Sequence, residues 1–182
     1  MLANLNDVYK LANEKNIAIG AFNIVNFENI LAVLETAEKL DMPVILAFAQ
    51  THEENDVMKL DTIGPVMVLM AQRAKVPVVV HLDHGVNLDY IEQSLKMGFT
   101  SVMFDGSQME YDQNVECTHR VVEAAHGAGV SVEGEIGTIG ETEDYLNGTV
   151  RDMVYTSPEL ARRFVEDTGV DALAVSIGTV HG

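Results

Sequence analysis

The chain has 182 residues, 47% of them apolar, with 11 basic against 28 acidic side chains and a formal net charge of −17. That apolar content supplies a sizeable core and argues against disorder, while the negative charge sets the chain against nucleic-acid backbones and anionic membrane surfaces, because no local basic patch offsets it. The single cysteine, Cys117, cannot form an intramolecular disulfide, Met1 to Lys10 lacks a basic-then-apolar leader, and no run of about 18 apolar residues occurs, so a reducing cytoplasm is the expected compartment.

In chain order, the first strand is predicted at residues 17–25, followed by a helix with Phe27, Ile30, Leu31, Leu34 and Ala37 on one face and Asn26 as its cap. A second strand at 43–49 precedes a helical pattern of Ile63, Val66, Met67, Met70, Ala71 and Ala74, and a third at 77–83 precedes Leu88, Ile91 and Leu95 behind the cap Asn87. Strands at 101–105, 130–135 and 171–177 complete a set of six. The fourth is followed by a helical stretch holding Cys117, read as a helix thiol, and His119 and His126, read as surface residues. Between the last two strands, residues 136–156 form a long glycine- and acid-rich connection, and Ser157-Pro158-Glu159 opens a helix. Gly98, Gly127 and Gly129 read as helix-ending glycines. Regular alternation of strand and helix implies right-handed βαβ crossovers and a parallel sheet, the α/β class.

In such a sheet, chemistry gathers at the C-terminal strand ends, and here those ends are polar. They carry Asn23, then Gln50-Thr51-His52-Glu53, then His81-Leu82-Asp83-His84, then Asp105, then Glu133-Gly134-Glu135, and finally Thr179-Val180-His181. Strand alternation aims His81 with Asp83, and Glu133 with Glu135, to one side. Imidazoles and carboxylates converging on one point are a donor set for a borderline divalent cation such as zinc, although each residue alone is as readily a cap or a loop hydrogen-bonder. No strand end carries a lysine, which argues against Schiff-base chemistry.

Five of these segments, in order, resemble the motifs of the class II, zinc-dependent fructose-bisphosphate and tagatose-bisphosphate aldolases: Gly20-Ala21-Phe22-Asn23, Leu82-Asp83-His84-Gly85, Ser101-Val102-Met103-Phe104-Asp105-Gly106-Ser107, Val132-Glu133-Gly134-Glu135-Ile136-Gly137 and Gly178-Thr179-Val180-His181-Gly182. The resemblance implies a (β/α)8 TIM barrel, usually a homodimer, that cleaves or forms a ketose phosphate through dihydroxyacetone phosphate. By the same resemblance, His84 and His181 are two of the three zinc histidines, and Asp105 and Glu135 belong to a second position for a divalent or monovalent cation. Asp83 is the acid/base at the aldehyde oxygen, Glu143 the carboxylate that exchanges the proton on dihydroxyacetone phosphate, and Asn23 and Gly182 hold substrate. The stretch Gln50 to Asn55 departs from the small, serine- and glycine-rich segment of the fructose-bisphosphate enzymes, and its acids disfavour a second phosphate nearby.

The family pattern continues past Gly182 with two further β/α units, so residues 1–182 are expected to form a single, incomplete barrel domain of about six units, open at its first and sixth strands. A fragment, a split subunit and a degenerate protein all fit that length, and the 182 residues alone are expected to show little or no turnover. Two other readings stand beside the aldolase: a metal-dependent hydrolase on the same barrel, with His81-Leu82-Asp83-His84 activating water, and a non-catalytic assembly subunit.

Overall fold

The computed structural model describes residues 1–137 and 155–178 in full and residues 140–141 and 180–181 as strand backbone. Strands β1 (Gly20–Asn23), β2 (Val44–Ala49), β3 (Val78–Gly85), β4 (Ser101–Phe104), β5 (Ser131–Ile136) and β7 (Ala172–Val175) form one six-stranded sheet in that order. Every neighbouring pair is parallel. A separate parallel pair joins β6 (Gly140–Glu141) to β8 (Val180–His181). Each crossover carries helix: α2 (Phe27–Leu40), α3 (Gln50–Glu54) with α4 (Leu60–Arg73), α5 (Leu88–Met97), α6 (Tyr111–His126) and α7 (Pro158–Thr168).

The caps read from sequence form. Asn26 accepts from the Asn29 amide, Asn87 from those of Asp89 and Tyr90, and Ser157 from that of Leu160. Gly98 closes α5 in the left-handed region, with φ 93°. The first strand is shorter than residues 17–25, because only Gly20 to Asn23 pair with β2 and the other edge of β1 has no neighbour among the described residues.

Two helices went unread in the sequence: the short α3, where a polar loop was expected, and α1 (Leu5–Lys15), opened by a reciprocal capping box between Asn4 and Asp7. Its Leu5 and Val8 are fully buried against Ile45, Val79, Ile19 and Ala172. Ile45 and Ala172 stand four strands apart, a span of about 19 Å in a flat sheet. Both reach the same helix, so the sheet curls around α1, which plugs the N-terminal end of its inner face. The outer face is packed by the helices, with Leu46, Phe48, Val80, Leu82, Val102 and Val132 of the strands in the main core.

Candidate active site

Register fixes what the inner face presents. Ile45 lies beside Val79; one rung on, Ala47, His81, Ser101 and Ser131 stand in line; beyond these come Ala49 with Asp83, and Met103 with Glu133. The face thus passes from aliphatic at the α1 plug to ionisable at the strand ends. Tyr9, Asn23, Ala47, His81, Asp83 and Glu133 border an open cavity of about 390 Å³ on this face.

Alternation alone would send Asp83 inward and His84 outward. A register shift between Leu82 and Gly85 in the β3–β4 ladder, with His84 at φ 48°, returns His84 to the inner side. Such left-handed backbone in a non-glycine residue costs of order 1–3 kcal/mol and is characteristic of functional sites. Gly85 permits the turn: a Cβ there would lie 2.7 Å from the Met103 carbonyl oxygen. The Gly85 carbonyl also accepts from the Asp105 amide, at 2.9 Å, which ties the two strand ends together.

The turn gathers the charged side chains. His84 Nδ1 donates to Asp105 Oδ2 at 2.9 Å and lies 3.8 Å from Glu135 Oε2, while His84 Nε2 is 3.9 Å from Asp83 Oδ1. Asn23 Nδ2 donates to Asp83 Oδ2 at 3.0 Å. Asp105 also accepts from the amide and hydroxyl of Ser107. One donor atom from each of His84, Asp105 and Glu135 lies within 4.8 Å of the others. Glu135 Oε2 is buried and accepts no hydrogen bond among the described residues, so a lone pair there is left for a cation.

The electrostatics agree. The hydrogen bond to Asp105 pushes the His84 imidazole up to about 9, with Asp83 and Glu135 adding to it against the effect of burial. Burial works against charge on Asp105, but the bonds from His84 and Ser107 outweigh it and hold that carboxyl low. Burial, then the Asp105 charge, pushes Glu135 up to about 7. One layer deeper, burial lowers His81 to about 4, and burial, then the Asp83 charge, lifts Glu133 to about 7. His81 is hydrogen-bonded to Ser101 Oγ at 2.8 Å. Its 3.6 Å approach to Glu133 Oε2 is therefore a contact between groups that both favour their neutral forms.

The segment after β2 has a structural use that sequence reading did not find. Gln50 Oε1 accepts from the amides of Val86 and Asn87, just beyond His84, and Gln50 Nε2 donates to Glu54. Glu53 accepts from the Tyr90 hydroxyl and the Leu60 amide. Both acids are engaged in holding the β3–α5 connection. His52 is half-buried with its ring edge against Phe48, and burial lowers its pKa against the pull of Asp83. His119 and His126 are both exposed on α6, as read from the sequence, and His126 donates to Asp171. Cys117 is half-buried on α6. Glu143, Gly182 and the side chain of His181 lie outside the described residues.

Comparison with known proteins places these residues in context. A family model described as class-II fructose-bisphosphate aldolase matches residues 3–182. The chain is 43% identical, over its whole length, to a fructose-bisphosphate aldolase of Thermus caldophilus and 38% identical to one of Helicobacter pylori, covering 59% of each. It therefore spans about three fifths of the length of these curated relatives. Among solved structures it is similar to the YdjI aldolase of Escherichia coli K12, with 35% identity and a TM-score of 0.83 over 98% of this chain and 61% of that one. It is also similar to the fructose-bisphosphate aldolase of Campylobacter jejuni, with 28% identity and a TM-score of 0.78 over 60% of that chain. The six parallel strands are accordingly the matching part of an aldolase barrel.

Proposed function

Because the chain belongs to the class II fructose-bisphosphate aldolase family, we propose that it carries the metal-binding and proton-transferring part of a zinc-dependent aldolase. The reaction is reversible cleavage of a ketose phosphate or bisphosphate to dihydroxyacetone phosphate and an aldehyde. The observation that carries this reading is the cluster of His84, Asp105 and Glu135 beside Asp83 and Asn23, with a buried carboxylate oxygen left unpartnered. Nitrogen and carboxylate oxygen donors at this spacing suit zinc or a second hard cation. Bound there, zinc supplies a Lewis acid for the negative charge that develops on the substrate oxygens as the carbon–carbon bond breaks.

The chain's own residues do the rest. Without a metal, Asp105 accepts from His84 Nδ1 and so holds the ring in place, with Nε2 3.9 Å from Asp83 Oδ1. Asp83 takes the hydroxyl proton in cleavage and returns it to the aldehyde oxygen in condensation, its carboxylate oriented by Asn23. Asn23 and Gly182 contact substrate, His181 is a further zinc ligand, and Glu143 exchanges the proton on dihydroxyacetone phosphate. None of β1 to β5 or β7 carries a lysine, in keeping with a mechanism that forms no imine. We assign the protein to a single barrel domain, a cytoplasmic setting in carbohydrate metabolism and a homodimer. No described helix is long and apolar enough to cross a membrane.

The test is a chimera in which these 182 residues replace the matching part of the Thermus caldophilus relative. It is expected to cleave fructose or tagatose bisphosphate in a chelator-sensitive way, and Asp83→Asn is expected to reduce turnover by roughly 10²–10⁴-fold. A folded, zinc-loaded chimera that releases no dihydroxyacetone phosphate from either sugar would overturn the reading.

A further inference from the structure

The ladder between β4 and β5 ends at the pair Phe104 and Gly134. The next residues, Asp105 and Glu135, carry two of the three clustered donors and have no rung between them. At that point a side chain from outside the sheet intervenes. Asn114, in the first turn of α6 and only 3% exposed, donates from Nδ2 to the Glu135 carbonyl oxygen at 2.8 Å. Its Oδ1 accepts from the Thr118 hydroxyl at 2.9 Å, which fixes the amide orientation. The other flank of the same amide rests on Gly106, so closely that a Cβ there would overlap Asn114 Oδ1. One buried amide therefore touches the backbone of Glu135 and the residue that follows Asp105.

We propose that Asn114 is a positioning residue that sets the separation of Asp105 and Glu135 for a divalent cation, with Thr118 orienting it and Gly106 providing the space. The inference rests on the reading of His84, Asp105 and Glu135 as metal ligands, and it extends the site to a helix that contributes no ligand. The chemistry of the amide is specific. A carboxylate at position 114 keeps the shape and accepts from Thr118 but cannot donate to the Glu135 carbonyl. By simple Coulomb attraction an added negative charge would raise cation affinity. A fall in affinity in that variant consequently reports lost positioning rather than lost charge.

The experiment measures zinc affinity of the chimera with the Thermus caldophilus relative at pH 8 by competition with a chromophoric chelator, with the urea midpoint recorded for each variant. Asn114→Asp is expected to weaken zinc binding by roughly tenfold or more, in the range found when groups that orient metal ligands are removed. Thr118→Val is expected to weaken it in the same direction by less, and it stands in if Asn114→Asp does not fold. Ser94→Ala removes a buried hydroxyl of α5 that bonds the Tyr90 carbonyl and none of the clustered donors, and serves as the control for general destabilisation. Zinc binding unchanged in the Asn114 and Thr118 variants, or weakened equally by Ser94→Ala, overturns the inference alone. Failure of the unaltered chimera to bind zinc overturns the metal reading and this inference with it.

Discussion

On the proposed reading, zinc would compete with protons at the clustered donors, and the structure sets how many. The Asp105 hydrogen bond lifts His84 to about 9, and burial lifts Glu135 to about 7. A metal needs the imidazole neutral and the carboxylate ionised, so every proton held by these two groups is released on binding. At pH 8 His84 is about nine-tenths protonated and Glu135 about one-tenth, giving about one proton released; at pH 6 both are protonated and the count is about two. Affinity therefore falls as pH falls, by about one decade per unit near pH 8 and about two decades per unit near pH 6. A further histidine with an ordinary pKa near 6.5 adds to the count at pH 6 and hardly to that at pH 8, which makes pH 8 the discriminating condition. The assay is calorimetric titration of the protein with zinc in two buffers of different ionisation enthalpy, at pH 6, 7 and 8. Release of no proton at pH 8 would mean that His84 is already neutral, and the Asp105–His84 bond could not then be the charged contact described above.

Two further outcomes are expected at the scaffold. Asp171 Oδ2 accepts from the Val132 amide and His126 Nε2, both at 2.8 Å, and Oδ1 from Asn6 Nδ2 at 2.7 Å, so one carboxylate joins β7, β5, α6 and the α1 plug. Asp171→Ala should cost about 2–3 kcal/mol in urea unfolding at pH 7, since it leaves a buried amide without an acceptor. Burial opposes the charge on Asp171, but its hydrogen bonds outweigh that and hold the carboxyl below its usual range. Its contribution is therefore full above the unfolded-state pKa near 4 and lost as pH falls through the lowered value, so the gap between variant and parent should close in acid; a gap independent of pH would refute the assignment. Gly85→Ala should both destabilise the fold, by about 1–3 kcal/mol, and weaken zinc binding, because the new Cβ meets the Met103 carbonyl oxygen and forces a shift of the backbone next to His84. Loss of stability with zinc affinity intact would separate Gly85 from the site.

The alternation of strands and helices was legible because the strands are short β-branched or apolar runs, α2, α4 and α5 carry apolar stripes, and a capping Asn or Ser stands before α2, α5 and α7. Helix α1 escaped because its stripe is narrow: Leu5 and Val8 are its only buried residues, and the signal lay in Asn4 and Asp7. The inward pairs His81 with Asp83 and Glu133 with Glu135 followed from the period of two. His84 did not, because its inward turn depends on a bulge and a left-handed backbone that no side-chain pattern announces. Nor did Asn114, which reads as a polar residue in the first turn of a surface helix and is recognisable only once α6 is laid against β5. The acids after β2 were read as a field at the mouth, whereas Tyr90, Leu60 and Gln50 use them as anchors for the segment behind His84.

The inner face shows why the proposed cation would sit at one end of the sheet and not the other. Beside α1 the strands present Ile45 and Val79, which satisfy themselves by packing. One rung on, His81 and Ser101 satisfy each other as neutral partners. At the last rungs Asp83, Asp105, Glu133 and Glu135 face a single imidazole that favours its charged form. Burial shifts Glu133 and Glu135 toward their protonated forms, and the charge of Asp83 beside Glu133 and of Asp105 beside Glu135 adds to that shift. Protonation is one way to relieve that excess and a divalent cation would be the other, since it would restore Glu135 to its charged form and take as a ligand the Glu135 oxygen that accepts no hydrogen bond. The same acids that weaken the metal-free site are then the source of its affinity, which is why the proton count on zinc binding is the most direct measure of the arrangement.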